Sequence, residues 1–221
     1  IFISIASYQD PLLLETLCSA YENAYNKDNL TFGVCEQADT GIDLDSIHFR
    51  DQIKYELLDP VMAKGPCWAR SRIQHFMRDE DFFLQVDSHT IFAKNWDKDL
   101  DNKISELNHN FFYITAKTIS SKNDIIQLDC GKNIEEFNQT KFDNFCNNDQ
   151  SPDLRASHLC PFIIHKEIWD RVGGFSEEFD PGDGSDPDFC MKLWKHNVRV
   201  FKCISSFKIY HFGSITTRRK N

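Results

Sequence analysis

The stretch Phe82-Phe83-Leu84-Gln85-Val86-Asp87-Ser88-His89 decides how this chain is to be read. An apolar run of strand length ends on a carboxylate and, two residues on, an imidazole. Side chains along a strand alternate, so residues two apart point to the same side. Asp87 and His89 can therefore converge on one cation at the mouth of the strand. A carboxylate with an imidazole suits Mn²⁺ or a similar divalent ion better than Ca²⁺, which prefers oxygen. The same residues also read as an ordinary turn, since Asp and Ser are common after strands.

Working outward, strands and helices alternate. Ile1 to Ala6 is a short apolar, β-branched run and reads as a buried strand. Pro11 opens a helix with Leu13, Leu17, Ala20, Tyr21 and Ala24 on one face. Leu30 to Cys35 is the next strand, residues 38 to 52 are polar and loop-like, and Ile53 to Leu58 is a third strand. Gly65-Pro66 breaks the chain before a helix bearing Trp68, Ala69, Ile73, Phe76 and Met77. After the run from Asp81 to Val86, Trp96, Leu100, Ile104 and Leu107 stripe a further helix, and Phe111 to Ile119 is again strand-like. This alternation predicts an α/β fold, doubly wound, with a mostly parallel central sheet and helices on both faces. In such sheets ligands bind outside the carboxyl ends of the strands. The residues to inspect are therefore Ser7 and Tyr8, Gln37 and Asp39, and Asp87-Ser88-His89.

Residues 120 to 157 are rich in Asn, Asp, Lys and Gln. They read as a long excursion over the sheet, in part helical, and long loops in compact domains are usually functional or disordered. Order resumes with Leu159 to Ile164, a helix from Glu167 to Val172, Gly173-Gly174, and an acidic turn from Glu177 to Asp188. A last helix (Phe189, Leu193, Trp194) leads to strand-like Val198 to Cys203 and Phe207 to Phe212. Asp186 and Asp188 precede that helix, where its N-terminal partial charge favours carboxylates. Asp186 reads either as a general base aimed by a glycine-flexed turn or as a helix cap. His211, at the end of an apolar run, reads either as a packed core histidine or as a ligand.

Taken together, these stretches resemble the GT-A-type glycosyltransferases. Ile3-Ser4-Ile5-Ala6-Ser7-Tyr8-Gln9-Asp10, Gly65-Pro66-Cys67-Trp68-Ala69-Arg70 and Leu84 to His89, continuing to Asn95-Trp96-Asp97, are similar to the cytoplasmic N-acetylglucosaminyltransferases that modify hydroxyproline. The Asp-Ser-His triplet also resembles that of polypeptide N-acetylgalactosaminyltransferases. Val172-Gly173-Gly174-Phe175 through Asp186-Pro187-Asp188-Phe189 looks more like family 2 transferases. The resemblance covers nearly the whole chain except residues 120 to 157, a candidate acceptor region, and implies one GT-A domain over 1–221.

What the resemblance implies is specific. Asp87, His89 and His211 would hold Mn²⁺ or Mg²⁺; Ala6, Ser7 and Tyr8 would line a uridine pocket; Arg70 and Asp87 would sit near the nucleotide; Asp186 would be the base of an inverting enzyme. The activity implied is transfer of a sugar, an N-acetylhexosamine above all, from a UDP-sugar to a hydroxyl of a glycan or protein. The alternatives are a family 2-like transferase building polysaccharide from another donor, and a non-catalytic module that binds nucleotide-sugar or glycan. The usual Asp-x-Asp stands here as Asp-Ser-His, and the usual Glu-Asp pair as Ser185-Asp186. The front half thus resembles retaining enzymes and the back half inverting ones.

Composition agrees. The chain has 221 residues and a net charge of −9, which argues against a nucleic-acid partner and requires a local cation for an anionic donor. No stretch approaches the roughly 20 apolar residues of a membrane span, and the chain does not open on a basic-then-apolar signal segment. Ile1 opens a strand-like run, so a domain from a longer protein is expected. Cys18, Cys35, Cys67, Cys130, Cys146, Cys160, Cys190 and Cys203 form no Cys-x-x-Cys pair. They read as reduced, largely buried thiols, which points to a cytoplasmic setting. The Asn-x-Thr triplets at Asn29 and Asn138 are short enough to arise by chance.

Overall fold

A computed structural model describes residues 1–107, 112–120, 126–130, 134–136, 161–178, 185–203 and 207–211. The first half runs β1 (Phe2–Tyr8), α1 (Leu13–Glu22), β2 (Thr31–Gln37), β3 (Ile53–Leu58), α2 (Pro66–Gln74), β4 (Phe82–Asp87), β5 (Thr90–Phe92) and α3 (Trp96–Leu107). The second half adds β6 (Phe112–Ser120), β7 (Ile126–Cys130), β8 (Ile134–Glu136), β9 (Phe162–His165), α4 (Lys166–Val172), α5 (Ser185–Lys195), β10 (Arg199–Cys203) and β11 (Phe207–His211).

The strands follow the order β3-β2-β1-β4-β9-β6-β7-β11-β5, with β10 paired to β6 and β8. The fold is α/β. From β3 to β4 every pairing is parallel. Beyond β4 the expected parallel pattern gives way: β9 runs antiparallel between β4 and β6, and only β10 pairs in parallel with β6. For β7 the physical reason is connectivity. A parallel neighbour needs a crossover of a dozen or more residues, which the short link from β6 to β7 cannot supply. β9 and β11 have longer connections, and their direction is set by the strands they pair with. β6 serves three ladders, pairing through Tyr113–Thr115 with β9, through Phe112–Ala116 with β10 and through Lys117–Ser120 with β7.

Alternation along the parallel strands divides the core into two layers. Ile3, Ile5, Leu84 and Val86 face α1 and α3, meeting Leu13, Leu17, Ala20, Trp96 and Leu100. Phe2 and Phe83 face the other way, toward Ile73 of α2, Trp169 of α4 and Phe189 of α5. This second layer is aromatic: Phe83 stacks on Trp169 with centroids 4.0 Å apart, and Phe162, Phe175 and Phe189 surround the pair. Gly174, at φ 62°, lies so close to Gln74 that a Cβ would stand 2.1 Å from its Oε1. The positive φ favours glycine there, and any side chain would also have to push Gln74 aside.

Two elements depart from the sequence reading. The excursion at 120–157 contains strands β7 and β8 where a loop, in part helical, was expected; the rest of it lies outside the described residues. The three-residue β5, Thr90-Ile91-Phe92, was not expected as an element: its residues favour strands but are too few to mark one, and it pairs with β11.

Candidate functional site

The carboxyl ends of β1, β2 and β4 meet at one edge of the sheet. Ala6 is in register with Asp87 on one side and with Cys35 on the other, and Tyr8 with Gln37. The chain leaves β1 through Gln9, whose φ of 46° lies in the left-handed region that non-glycine residues seldom occupy. Gln9 is held there by its N–H, which donates to the Gln37 carbonyl at 3.0 Å. This turn delivers Asp10 to the Asp-Ser-His segment.

There the carboxylate of Asp10 is fully engaged. Its Oδ1 accepts from the Leu12 N–H at 3.0 Å, and its Oδ2 accepts from Ser88 Oγ at 2.7 Å and lies 2.6 Å from His89 Nδ1. Burial raises the pKa of Asp10, but the bonds from His89, Leu12 and Ser88, with the charge of His89, outweigh it and hold the carboxyl below its ordinary range. Asp87 is oriented from the other side. Arg70 on α2, almost buried, donates from Nη2 to Asp87 Oδ1 at 3.1 Å, while Asp87 Oδ2 faces His89 Nε2 at 4.0 Å. The guanidinium of Arg70 lies 5.6 Å from the centroid of the Phe175 ring.

The backbone of the turn is clamped by α1. Thr16, wholly buried, donates to the Ser88 carbonyl at 2.7 Å and accepts from the Thr90 N–H at 2.9 Å. Farther along, Asn23 donates to the Phe92 carbonyl at 2.8 Å and Trp96 Nε1 to the Ala20 carbonyl at 2.8 Å. A turn held at this many points presents Asp87 and His89 in one fixed arrangement.

These residues fit a divalent ion. Metal–ligand bonds to oxygen and imidazole nitrogen measure about 2.0–2.2 Å, so donor atoms 4.0 Å apart can both reach an ion lying between them. Among the described residues no group of three such ligands gathers. The side chain of His211 lies outside them, but its backbone is paired in register with Thr90, the residue after His89. The end of β11 therefore returns beside the turn. Asp186 is the second residue of α5, and its side chain too is outside the described residues. Asp188, one residue past Pro187, accepts from Ser176 Oγ at 3.0 Å and lies 3.3 Å from Lys192 Nζ, so it anchors its own helix.

Of the expected nucleotide pocket, Ala6 and Tyr8 are partly exposed at the end of β1 and Ser7 is buried. Ser7 Oγ and Gln37 Oε1 are buried without a hydrogen-bond partner among the described residues, although Gln37 Nε2 donates to the Ser7 carbonyl at 3.1 Å. Glu36, in register with Ser7 and also buried, accepts from the Tyr55 hydroxyl and from the Ile42 N–H at 3.0 Å. Burial and the bond to Glu36 push the Tyr55 hydroxyl well above its ordinary pKa. Cys18, Cys35 and Cys67 are free thiols; burial, with Glu56 nearby, pushes Cys35 up to about 12, which leaves it inert as a nucleophile.

The sequence reading missed Asp10 and Glu36. Asp10 stood inside the quoted motif, and its signal was a carboxylate immediately before a helix-opening proline. Glu36 sits within an apolar strand, where a charged residue that must be buried calls for a partner.

This fold and this edge define a class, the GT-A-type glycosyltransferases. The 1–349 portion of S. aureus TarS, in complex with UDP-GlcNAc, is similar over 94% of this chain and 57% of that one, with a TM-score of 0.67 at 18% identity. GalNAc-T7 with UDP, GalNAc and Mn²⁺ is similar over 91% of this chain and 42% of that one, with a TM-score of 0.60 at 12% identity. Both likenesses are of fold. In sequence, the hyaluronan synthase of Pasteurella multocida is 27% identical over 157 residues, 70% of this chain but 15% of the synthase.

Within that class the chain belongs to the Glycosyltransferase (GlcNAc) family, whose model matches residues 39–153, more than half of it. The match runs through most of the 120–157 excursion, the stretch the resemblance in sequence had left out.

Proposed function

We propose that this chain transfers a sugar, an N-acetylhexosamine, from a UDP donor to an acceptor hydroxyl, with a divalent ion on the diphosphate. The observation that carries the reading is the pairing of Asp87 Oδ2 with His89 Nε2 at the carboxyl edge of the sheet, each side chain oriented by a second residue. Asp87, His89 and His211 would hold Mn²⁺ or Mg²⁺. Such an ion supplies the positive charge that a protein of net charge −9 needs to accept a diphosphate and to stabilise it as a leaving group. Ala6, Ser7 and Tyr8 line the side where uridine sits in this reading, with the orphaned polar atoms of Ser7 and Gln37 nearby. Arg70 adds a fixed positive charge beside the diphosphate. Asp186, at the start of α5, takes the proton of the acceptor hydroxyl if the enzyme inverts. The likeness to a hyaluronan synthase supports a second reading, a transferase that builds polysaccharide.

The test is thermal unfolding and nucleotide release across a panel of UDP-, GDP- and CMP-sugars, with and without Mn²⁺. A ligand that binds only the native state adds about 2.7 kcal/mol at a hundred times its Kd. UDP-N-acetylhexosamines should raise Tm in the presence of Mn²⁺, and Asp87→Asn should remove the metal-dependent part of that rise. Stabilisation by a GDP- or CMP-sugar with none by any UDP-sugar would overturn the donor assignment.

A further inference from the structure

Asp10 shows none of the features of a ligand and all of those of a support. Its two oxygens are taken by Leu12 N–H, Ser88 Oγ and His89 Nδ1, and its side chain is only 9% exposed. The left-handed Gln9 places it there at some cost in backbone strain. A carboxylate facing an imidazole nitrogen selects the tautomer that carries the proton on that nitrogen, and metal-binding histidines commonly owe their orientation to such a partner. The other nitrogen of His89, Nε2, is the one that faces Asp87 at 4.0 Å.

We propose that Asp10 is a positioning residue for the metal site: it holds His89 as the Nδ1–H tautomer and turns Nε2 toward the ion shared with Asp87. The inference rests on the metal site proposed above, but it makes a claim about the protein without metal that stands or falls separately. Replacing Asp10 by Asn gives the decisive contrast. The Asn carbonyl can still accept from Leu12, but its amide then offers hydrogens to His89 Nδ1. That favours the Nε2–H tautomer, which has no lone pair on Nε2 for a metal. Replacing Asp10 by Ala removes the preference without reversing it.

The experiment is Mn²⁺ titration of the whole chain by electron paramagnetic resonance, with no donor present, for wild type, Asp10→Asn and Asp10→Ala. It is paired with ¹H–¹⁵N spectra of the metal-free histidines at a pH where the rings are neutral, His89 being assigned with His89→Gln. Loss of such an outer partner typically weakens metal binding about 10- to 100-fold. The expected result is a loss in that range for Asp10→Asn, a smaller loss for Asp10→Ala, and a proton on Nδ1 of His89 in the wild type that moves to Nε2 in Asp10→Asn. A merely structural role for Asp10 would rank Ala as the more harmful change and leave the tautomer where it was. The proposal is overturned if wild-type His89 carries its proton on Nε2, or if folded Asp10→Asn binds Mn²⁺ within about twofold of wild type, well short of the loss expected for an outer partner. Should the wild type bind no Mn²⁺ at all, the metal reading fails while the tautomer measurement still decides the role of Asp10. Should Asp10→Asn fail to fold, the wild-type tautomer decides alone.

Discussion

The two faces of the parallel sheet are built on different principles. Toward α2, α4 and α5 the contact is aromatic mass: Phe2, Phe83, Phe162, Trp169, Phe175 and Phe189 fill the layer. Toward α1, apolar packing is joined by a series of directed polar bonds: Thr16, Ser19 and Asn23 bind the backbone of the segment after β4, and Asp10 binds its Ser88 and His89 side chains. Apolar packing is non-directional and tolerates small shifts, whereas hydrogen bonds fix atoms to within a few tenths of an ångström. Both faces therefore supply stability through their apolar cores, and the second alone adds the bonds that fix the position of Asp87 and His89.

The largest effect should come from the aromatic face. Trp169→Ala removes the ring stacked on Phe83 and should cost about 3–5 kcal/mol in denaturant unfolding, as large core truncations do. Whatever fraction remains folded should bind Mn²⁺ with nearly wild-type affinity. A selective loss of metal binding there would break the division between the faces.

Next comes the polar face. Thr16→Val keeps the shape but strands the Ser88 carbonyl and the Thr90 N–H, for about 1–3 kcal/mol of stability. The sharper expectation is that Mn²⁺ affinity falls with it. A variant that is destabilised yet binds metal unchanged would show that α1 clamps the turn without tuning the site.

The smallest effect belongs to the rim of the aromatic face, where Arg72 of α2 pairs with Glu56 of β3. Arg72's hydrogen bond, opposed by partial burial and reinforced by its charge, holds the Glu56 pKa below its ordinary value. A carboxyl depressed in the folded state contributes stability above its unfolded pKa, about 4.5, and loses it as pH falls through the folded value. Both partners are partly exposed, so Glu56→Gln should cost no more than about 1 kcal/mol at neutral pH. The difference from wild type should vanish on the acid side of that window. A penalty that persists in acid would mean that Glu56 acts through packing and not through its charge.

These contrasts also mark what was legible in the chain. Elements with their own periodicity were readable nearly to the residue: Ile53–Leu58 and Trp96–Leu107 stand where the alternation and the helical stripe put them. Asp87 and His89 drew notice as the end of a legible strand, but it is the turn after β4, held by α1 and Asp10, that brings their side chains within 4.0 Å. β5 was not legible, since three strand-favouring residues are too few to mark an element and their partner lies more than a hundred positions away. Asp10 stayed hidden for a related reason. Its role depends on one left-handed residue, Gln9, and on an imidazole 79 residues downstream, and neither leaves a trace in spacing. The antiparallel turn of the sheet after β4 likewise depends on which strands meet and not on what any strand is made of.

The pairing of β11 with β5 has a consequence for the order in which the protein comes into being. On the ribosome, Thr90–Phe92 emerges long before Phe207–His211, its strand partner. The parallel strands and the layer of α1 and α3 can condense while the rest is still being made, since domains gain structure from the N-terminal side during synthesis, whereas the aromatic layer waits for α4 and α5. The edge that carries Asp87 and His89 is closed only by one of the last described strands. A nascent chain halted before residue 207 would hold two of the proposed ligands on a formed sheet and lack the third. On the proposed metal site, the capacity to capture an ion would then arrive only once residues 207–211 have been made.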